Sequence, residues 1–395
     1  MSRTDVDVVV VGAGVVGCAT ALALAASGCD VLLADARLPN ATAPSPDDAY
    51  DLRVFALAHG SRRLLEHLEV WRELPQNRIA AYRSMRVWDE HGSGEIEFDA
   101  SLLGEEALGF IVEQRALLAA CMVRLRESMR VELRADAIAS MHASPRDAEV
   151  HFAQGTPVRT RLVVAADGAS STLREAAGIT VAKEHYAQRA VVAHVRTERA
   201  HEGVARQRFA TGGPLALLPL ADGRASIVWS LPDEEAERLL ALDDAAFLAE
   251  LTAASGGVLG RCLEASPRAS FPLLRWQAQS FVGVRLALAG DAAHGVHPLA
   301  GQGLNLGLQD VASLHALIGA AQKIGGDVGD ATLLARYARA RQPDNAIAGH
   351  SFGALQHLFA SRSPLLAFAR GFGMNLVNRA TPLKRLLAEH ASAIS

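Results

Sequence analysis

The chain has 395 residues, half of them hydrophobic and 21% charged, with a formal net charge of −4 and a pI near 6.4. Extended disorder is excluded, because there is ample apolar surface to bury. Non-specific nucleic-acid binding is excluded too, because it needs a basic excess.

Asp7–Val11 (Asp-Val-Val-Val-Val) is short, β-branched and apolar without a break, the pattern of a buried parallel strand. Gly12 to Gly17 form a turn. Val15 to Ser27 follow as an Ala/Leu-rich helix that stops at Gly28. Asp30–Asp35 is a second buried strand, which completes a βαβ unit. The apolar run Val8–Ala26 has the length of a signal anchor, but Asp5 and Asp7 precede it where a signal carries positive charge, and three glycines interrupt it. The expectation is therefore neither a secreted nor a spanning segment. No other stretch reaches the ~20 uninterrupted apolar residues of a membrane helix.

Leu38 to Asp51 reads as a loop and Arg53 to Leu68 as a helix. Met85 to Phe98 reads as a hairpin outside the parallel sheet. Gln114 to Arg130 is helical, and Cys18, Cys29, Cys121 and Cys262 lack both CxxC spacing and a histidine cluster. This predicts no disulfide framework and no metal site, in a reducing, cytoplasmic setting. Val131–Leu133, Glu149–Phe152 and Arg161–Ala166 are predicted strands. Ala187 to Trp229 alternates apolar and polar residues between glycine breakers and predicts antiparallel strands in a separate layer. Glu234–Ala254 is helical, Val284–Ala289 is a buried strand, and Gly303–Leu317 and Leu333–Phe359 are helices.

Three motifs carry chemistry. Gly12-Ala13-Gly14-Val15-Val16-Gly17 is a GxGxxG after a strand and before a helix. Its glycines permit a tight turn, approach to a pyrophosphate, and close helix–strand packing. Asp35 ends the next strand, at about the 20-residue spacing of an acid that binds a ribose hydroxyl. Asp167-Gly168-Ala169-Ser170-Ser171-Thr172-Leu173-Arg174 follows a strand, so its turn lies on the carboxyl edge of the sheet, where ligands bind. A helix cap at Ser170 or Ser171 is the alternative there. Gly290-Asp291-Ala292-Ala293-His294 ends a third strand, and His297-Pro298-Leu299-Ala300-Gly301-Gln302-Gly303-Leu304-Asn305 leads into a helix whose free N–H groups favour negative charge. His294 and His297 taken singly read more readily as hydrogen-bonded structural histidines.

Taken together, these motifs resemble the flavoprotein aromatic hydroxylases, whose type member is para-hydroxybenzoate hydroxylase. The string His297–Asn305 is similar to the ubiquinone-biosynthesis hydroxylases in particular. So are Asp51-Leu52-Arg53, Val112-Glu113-Gln114-Arg115, Gly213–Leu220, Asn375-Leu376-Val377-Asn378-Arg379 and Pro382-Leu383-Lys384. The resemblance covers most of the chain in order. It implies an α/β fold: a Rossmann-like FAD-binding domain with a mainly parallel sheet (1–75, 100–180, 276–345). Interleaved with it is a mixed or antiparallel substrate domain (76–99, 181–275), and a C-terminal helical segment follows (346–395).

The resemblance also implies FAD as cofactor and NAD(P)H as reductant, although no second dinucleotide fingerprint is present. Gly12, Gly14 and Gly17 would hold the pyrophosphate and Asp35 the adenosine ribose. Arg53, Gln114 and Arg115 would touch the cofactor, although the family often has Asn where Gln114 stands. Asp167 and Asp291 would anchor the ribitol and diphosphate. Gly301, Gly303, Leu304 and Asn305 would contact the isoalloxazine, with Pro298 beside it at the substrate cavity. Reduced flavin would form a C4a-hydroperoxide with O2 and pass oxygen to a polyprenylated phenol. His297 is the first candidate for a base that activates the phenol, against the alternative that it braces the loop.

Leu215–Leu220, Trp229 and Phe271 fit either a large apolar substrate or a plain sheet core. The basic, apolar stretch Leu365–Leu387 fits either an inner-membrane surface or a helix packed on the cofactor domain. A homodimer or a place in a quinone-biosynthesis complex is left open. Competing readings are a halogenase, a prenyl reductase, and a flavin-binding scaffold without turnover. The halogenase Trp-x-Trp-x-Ile-Pro signature is absent, and the cofactor loops are intact.

Overall fold

A computed structural model describes residues 5–40, 42–45, 47–90, 94–210, 212–295, 302–343, 345 and 373–392. The first sheet has a parallel core in the order β19 (Leu286–Leu288), β11 (Val158–Ala165), β1 (Val6–Val11), β2 (Val31–Asp35) and β8 (Val131–Ala135). Antiparallel β18 (Val282–Gly283), β10 (Ala148–Phe152) and β9 (Ile138–Ala143) extend it. The core strands are short valine-, leucine- and alanine-rich runs because both faces are covered. Helices α1 (Val15–Ala26), α3 (Gln114–Glu127) and α7 (Gln302–Lys323) pack side by side against this sheet, α1 between the other two. The main core brings Val8–Val11, Leu22, Leu24, Leu117, Val163, Leu288, Val311 and Leu314 together.

The second sheet runs β20 (His294–Gly295), β17 (Ala269–Ala278), β12 (Val181–Thr197), β15 (Ala225–Pro232), β14 (Gly213–Pro219), β13 (Val204–Ala210), β5 (Ser84–Asp89) and β6 (Glu95–Asp99), with β16 (Cys262–Ala265) on β12. β5 and β6 are the expected hairpin. The expected antiparallel pairing holds from β12 to β14, but β13 joins β5 in parallel. α5 (Asp233–Ala241) and α6 (Asp244–Ala254) pack on one face over Leu215, Leu217, Ile227 and Trp229. These apolar residues are therefore sheet core, whereas Phe271 is exposed. Glu234–Ala254 is two helices rather than one, because Asp243 caps the second by accepting from Ala246 N at 2.8 Å.

β3 (Val54–Leu57), β7 (Gly109–Glu113) and β4 (Ile79–Tyr82) form a small third sheet. The helix expected over Arg53–Leu68 is thus half strand. Val54 to Leu57 pair with β7, and α2 (His59–His67) starts only after them. Beneath this sheet lies a buried ion pair, Arg78–Glu113 at 3.1 Å. The other Glu113 oxygen accepts from Asp51 N at 2.8 Å, and Arg78 donates to the carbonyls of Ser45 and Asp48. A loop of low intrinsic order is thereby tied down at several points. α4 (Thr172–Ala176), a helix over 331–343 (α8), a helix over 373–379 (α9) and α10 (Thr381–Ser392) complete the described elements. All four cysteines are free and buried. Burial pushes their thiols up, to about 11 at Cys29 and about 12 at Cys121.

Candidate functional site

Strand order assembles the site. β19, β11 and β1 lie side by side and parallel, so the motifs that follow them emerge together at one carboxyl edge. Ala166 N donates to Val11 O at 2.8 Å and Ala289 N to Ala165 O at 2.9 Å, which carries the alignment into the turns. The three glycines of the first motif have distinct tasks. Gly12 has φ +100°, and a Cβ there would lie 2.3 Å from Ala166 O. A Cβ on Gly17 would lie 1.8 Å from Gly12 O, so α1 could not pack where it does. A Cβ on Gly14 would meet nothing within 4 Å. Gly14 is the N-cap of α1, and no side chain caps it. The first-turn N–H groups therefore face open space, with the positive end of the helix dipole behind them.

Asp35 accepts from Ala13 N at 2.7 Å and from Arg37 N at 2.9 Å, so it braces the glycine turn from the neighbouring strand end. In the second motif Asp167 Oδ2 accepts from Thr172 N at 3.0 Å, while its Oδ1 is buried with no partner. Gly12 abuts the Asp167 backbone, so this orphaned acceptor lies beside the glycine turn. Ser171 caps α4 by accepting from Arg174 N at 3.1 Å, the alternative allowed from the sequence. Arg174 is buried and donates to Ala169 O at 2.9 Å and Ala292 O at 3.0 Å, which staples the second motif to the third.

In the third motif, Val16 packs against Gly290 and Gly307. Asp291 stays open to solvent on one side. The protein crowded around it nevertheless pushes its carboxyl above the ordinary aspartate value, with Arg53 and His294 pulling the other way. Arg53 is exposed, lies over the Phe55 ring at 5.4 Å, and accepts from Gln114 N at 2.9 Å through its carbonyl. Arg115 pairs with Asp48 at 3.0 Å. The Asp51–Arg53 and Val112–Arg115 strings are thus neighbours across β3 and β7, which accounts for their joint appearance in the sequence. His194 adds a tie from the second sheet, its Nε2 donating to Asp51 O at 3.0 Å.

Asn305 is buried and fully used within the protein. Its Oδ1 accepts from Ala58 N at 2.9 Å and Ser61 Oγ at 2.7 Å, and its Nδ2 donates to Ala56 O at 2.8 Å. Its side chain thus joins α7 to β3 and α2. Leu304 is buried and Gly303 half-buried, both in the first turn of α7. Gly301, His297 and Pro298 lie outside the described residues.

Asp310, Arg341 and Trp276, which sequence reasoning did not single out, hold this edge together, and His294 is the hydrogen-bonded structural histidine expected of it. His294 donates from Nε2 to Asp310 Oδ2 at 2.6 Å, Gly290 N donates to the same oxygen at 3.0 Å, and Arg341 Nε donates to Asp310 Oδ1 at 2.8 Å. All three side chains are buried. Burial alone would raise the Asp310 carboxyl, but His294 and Arg341 overcome it and hold the group below the ordinary aspartate value. Trp276 on β17 donates from Nε1 to Asp291 O at 3.0 Å, and its ring lies so close to Gly295 that a Cβ there would sit 2.3 Å away. Separately, a cavity of about 740 Å³ opens between α2 and β7, lined by His59, Arg62, Arg83, Glu105 and Phe110 among others. None of its lining residues belongs to the three motifs.

The edge therefore offers bare helix amides, a tolerant glycine, an orphaned carboxylate oxygen and a second carboxylate on adjoining strand ends. That donor and acceptor set fits a dinucleotide: an anionic diphosphate for the amides and hydroxyls for the acids.

Comparison with known proteins agrees. A family model described as FAD binding domain matches residues 5–347. The chain is 40% identical to the ubiquinone hydroxylase UbiL of Rhodospirillum rubrum over 98% of its own length and 89% of the relative's. It is 34% identical to the 3-demethoxyubiquinol 3-hydroxylase of Escherichia coli, over 99% of each chain. Its fold matches the crystal structure of p-nitrophenol 4-monooxygenase PnpA from Pseudomonas putida with a TM-score of 0.74, over 98% of each chain at 19% identity.

Proposed function

The chain belongs to the family of FAD-binding-domain flavoproteins that includes the ubiquinone-biosynthesis hydroxylases, and from that membership we propose that it inserts one atom of O2 into the ring of a polyprenylated phenol, with NAD(P)H as the reductant. It is an FAD-dependent monooxygenase. The balance is ring C–H, O2, NAD(P)H and a proton in; ring C–OH, water and NAD(P)+ out. The observation that carries the reading is the convergence of Gly14, Asp167 and Asp291 on the adjoining ends of β1, β11 and β19.

When bound, FAD supplies electron storage and O2 activation. The chain's residues must hold it, orient the phenol and keep water out. We assign the diphosphate to the first-turn amides of α1 above Gly12, Gly14 and Gly17, and the adenosine ribose to Asp35. Asp167 and Asp291 anchor the ribitol and diphosphate, their carboxylates accepting from ribitol hydroxyls and the N–H groups of their turns facing the diphosphate, and Arg53 with Gln114 and Arg115 flanks the cofactor. The start of α7, with Gly301, Gly303, Leu304 and Asn305, faces the ring system. There Asn305 acts through its backbone, because its amide is already committed. Its dipole favours negative charge on the reduced ring. Pro298 beside the ring and His297 as the phenol's base are assigned from sequence.

The cofactor domain is taken as 1–75, 100–180 and 276–345, the substrate domain as 76–99 and 181–275, and the C-terminal segment as 346–395. A polyprenyl tail partitions into lipid, so the reading places the protein in the cytoplasm, peripheral at the inner membrane. No helix among the described residues is long and apolar enough to cross a membrane.

The purified protein is expected to show flavin absorption bands. Oxygen uptake with NADH or NADPH should rise with a short-chain polyprenylphenol, and a hydroxylated product should form. A protein that cannot be reconstituted with FAD overturns the reading.

Asp291→Ala is expected to weaken FAD roughly ten- to a hundredfold, since a hydrogen bond to a charged group is worth about 1.5–3 kcal/mol. Only the carboxylate accepts without donating. Wild-type affinity should therefore fall as pH drops through the raised Asp291 value, and the variant should lose that dependence. Flavin fluorescence quenching reads both. Unchanged affinity removes Asp291 from the site.

A further inference from the structure

The tail motif of the sequence analysis lies at a sheet edge. β6 ends the second sheet, and an edge strand leaves backbone N–H groups unpaired. Two are filled from α9: Asn375 Oδ1 accepts from Glu95 N at 3.3 Å, and Asn378 Oδ1 accepts from Glu97 N at 3.2 Å. Lys384 Nζ donates to Asn378 Oδ1 at 3.0 Å, which ties α10 to the same post. The two helices are therefore seated on the sheet by polar side chains.

Met374 and Ala388 are buried against the domain, but the leucines point the other way. Among the described side chains of α10, Ala388 and Ser392 are buried and Lys384 and Glu389 half-buried. Leu383, Leu386 and Leu387 are 42%, 61% and 44% exposed, and Leu376 of α9 is 58% exposed. This reverses the amphipathic arrangement of a helix packed on its own domain. Arg379, Pro382 and Arg385 are exposed beside the leucines, and no exposed residue of either helix is acidic among those described. The nearest acid of α10, Glu389, is half-buried and already holds Arg385 at 2.8 Å.

We propose that α9 and α10 form a docking face for an anionic lipid surface, with the four leucines entering the headgroup boundary and Arg379 and Arg385 meeting lipid phosphates. A second copy of the chain is a poor occupant. A two-fold interface would set this face against itself, arginine toward arginine, and neither helix has an exposed carboxylate among its described residues to offset them. A short leucine face flanked by guanidinium groups suits a shallow interfacial site. The inference rests on the membrane-facing part of the functional reading above.

The test is vesicle flotation of the full-length, FAD-loaded protein. Vesicles of phosphatidylethanolamine with phosphatidylglycerol are compared with vesicles of phosphatidylcholine. The wild type is expected to float with the anionic vesicles. Leu383→Ser, Leu386→Ser and Leu387→Ser together should weaken binding on the order of tenfold or more. Arg379→Glu with Arg385→Glu should abolish the preference for anionic over zwitterionic lipid. Both variants should hydroxylate a short-chain, water-soluble phenol at the wild-type rate.

If the leucine variant floats as the wild type does, the docking face is wrong while membrane association stands. If the wild type ignores both vesicles yet hydroxylates the soluble phenol, membrane association fails and the reaction stands. A wild-type dimer that the leucine variant converts to monomer, seen by light scattering, makes the face a self-association surface and overturns the proposal.

Discussion

Gly17→Ala is expected to cost the fold, and Gly14→Ala only the cofactor. At Gly17 the added methyl would sit 1.8 Å from Gly12 O and 2.9 Å from Gly12 C, both backbone atoms of the turn. Neither can swing aside as a side-chain tip would. α1 must then lift off β1, and with it the packing of Cys18, Leu22 and Val9 in the main core. Overpacking against backbone typically costs about 1–3 kcal/mol, and this contact lies at or beyond the upper end. At Gly14 the backbone has φ −69° and ψ 175°, which alanine adopts freely, and nothing stands within 4 Å. Apoprotein melting should therefore be unchanged or slightly raised. The same methyl would stand where a diphosphate must approach the helix amides, so FAD binding should weaken on the order of a hundredfold, or about 2.7 kcal/mol. Thermal denaturation of the apoproteins and fluorescence titration with FAD separate the two effects. A Gly14→Ala protein with wild-type FAD affinity would show that the diphosphate lies elsewhere.

Asp310→Asn is expected to be among the most damaging single changes in the chain. The carboxylate is fully buried and compensates Arg341 while holding Gly290 N and His294. Removing one partner of a buried pair leaves the other charge without compensation, at about 3–5 kcal/mol. By contrast Arg238→Ala, which breaks contacts with Glu235 and Glu250 at the surface, should cost less than about 1 kcal/mol. pH gives a second readout. The Asp310 carboxyl titrates lower in the folded chain than the ordinary aspartate value. Its contribution is therefore complete above the unfolded pKa of about 3.9 and is lost as pH falls through the folded value. Denaturant melts of the wild type should weaken through that acid window. The variant, already without the charge, should show a shallower acid limb. Equal acid limbs would mean that Asp310 is not the group that titrates.

The parts legible in the sequence were those that local pattern decides. The βαβ unit, its glycines and the buried strands before Asp167 and Gly290 follow from short β-branched runs broken by turns. Val54–Leu57 was not legible. Four apolar residues ahead of a helical pattern do not reveal whether they extend the helix, and distant β7 decided that they pair as strand. The parallel join of β13 to β5 is likewise set by tertiary contact, more than 100 residues apart in the chain. Asp310 carried a usable signal: an acid four residues after Leu306 and four before Leu314, on the apolar face of a helix. Such a residue is stable there only if a buried cation meets it. Arg341 and Trp276 carried no such mark, since each is defined by a carbonyl or carboxylate that only the fold brings near; Arg174 was marked by its motif, but its bond to Ala292 O was not. The three cofactor motifs were legible singly; what the fold adds is their adjacency.

Residues 290–295 leave the first sheet at β19 and enter the second at β20, where Gly295 pairs with Trp276 and His294 with Gln277. The same short segment is pinned below by Asp310 and clasped by the Trp276 indole. It acts as a rivet between two plates. Displacing β17 must either pull on the Asp291 turn through the Trp276 bond or break the β17–β20 pairing. A shift of the second sheet along β17 and β20 is thereby transmitted directly to the turn that carries Asp291.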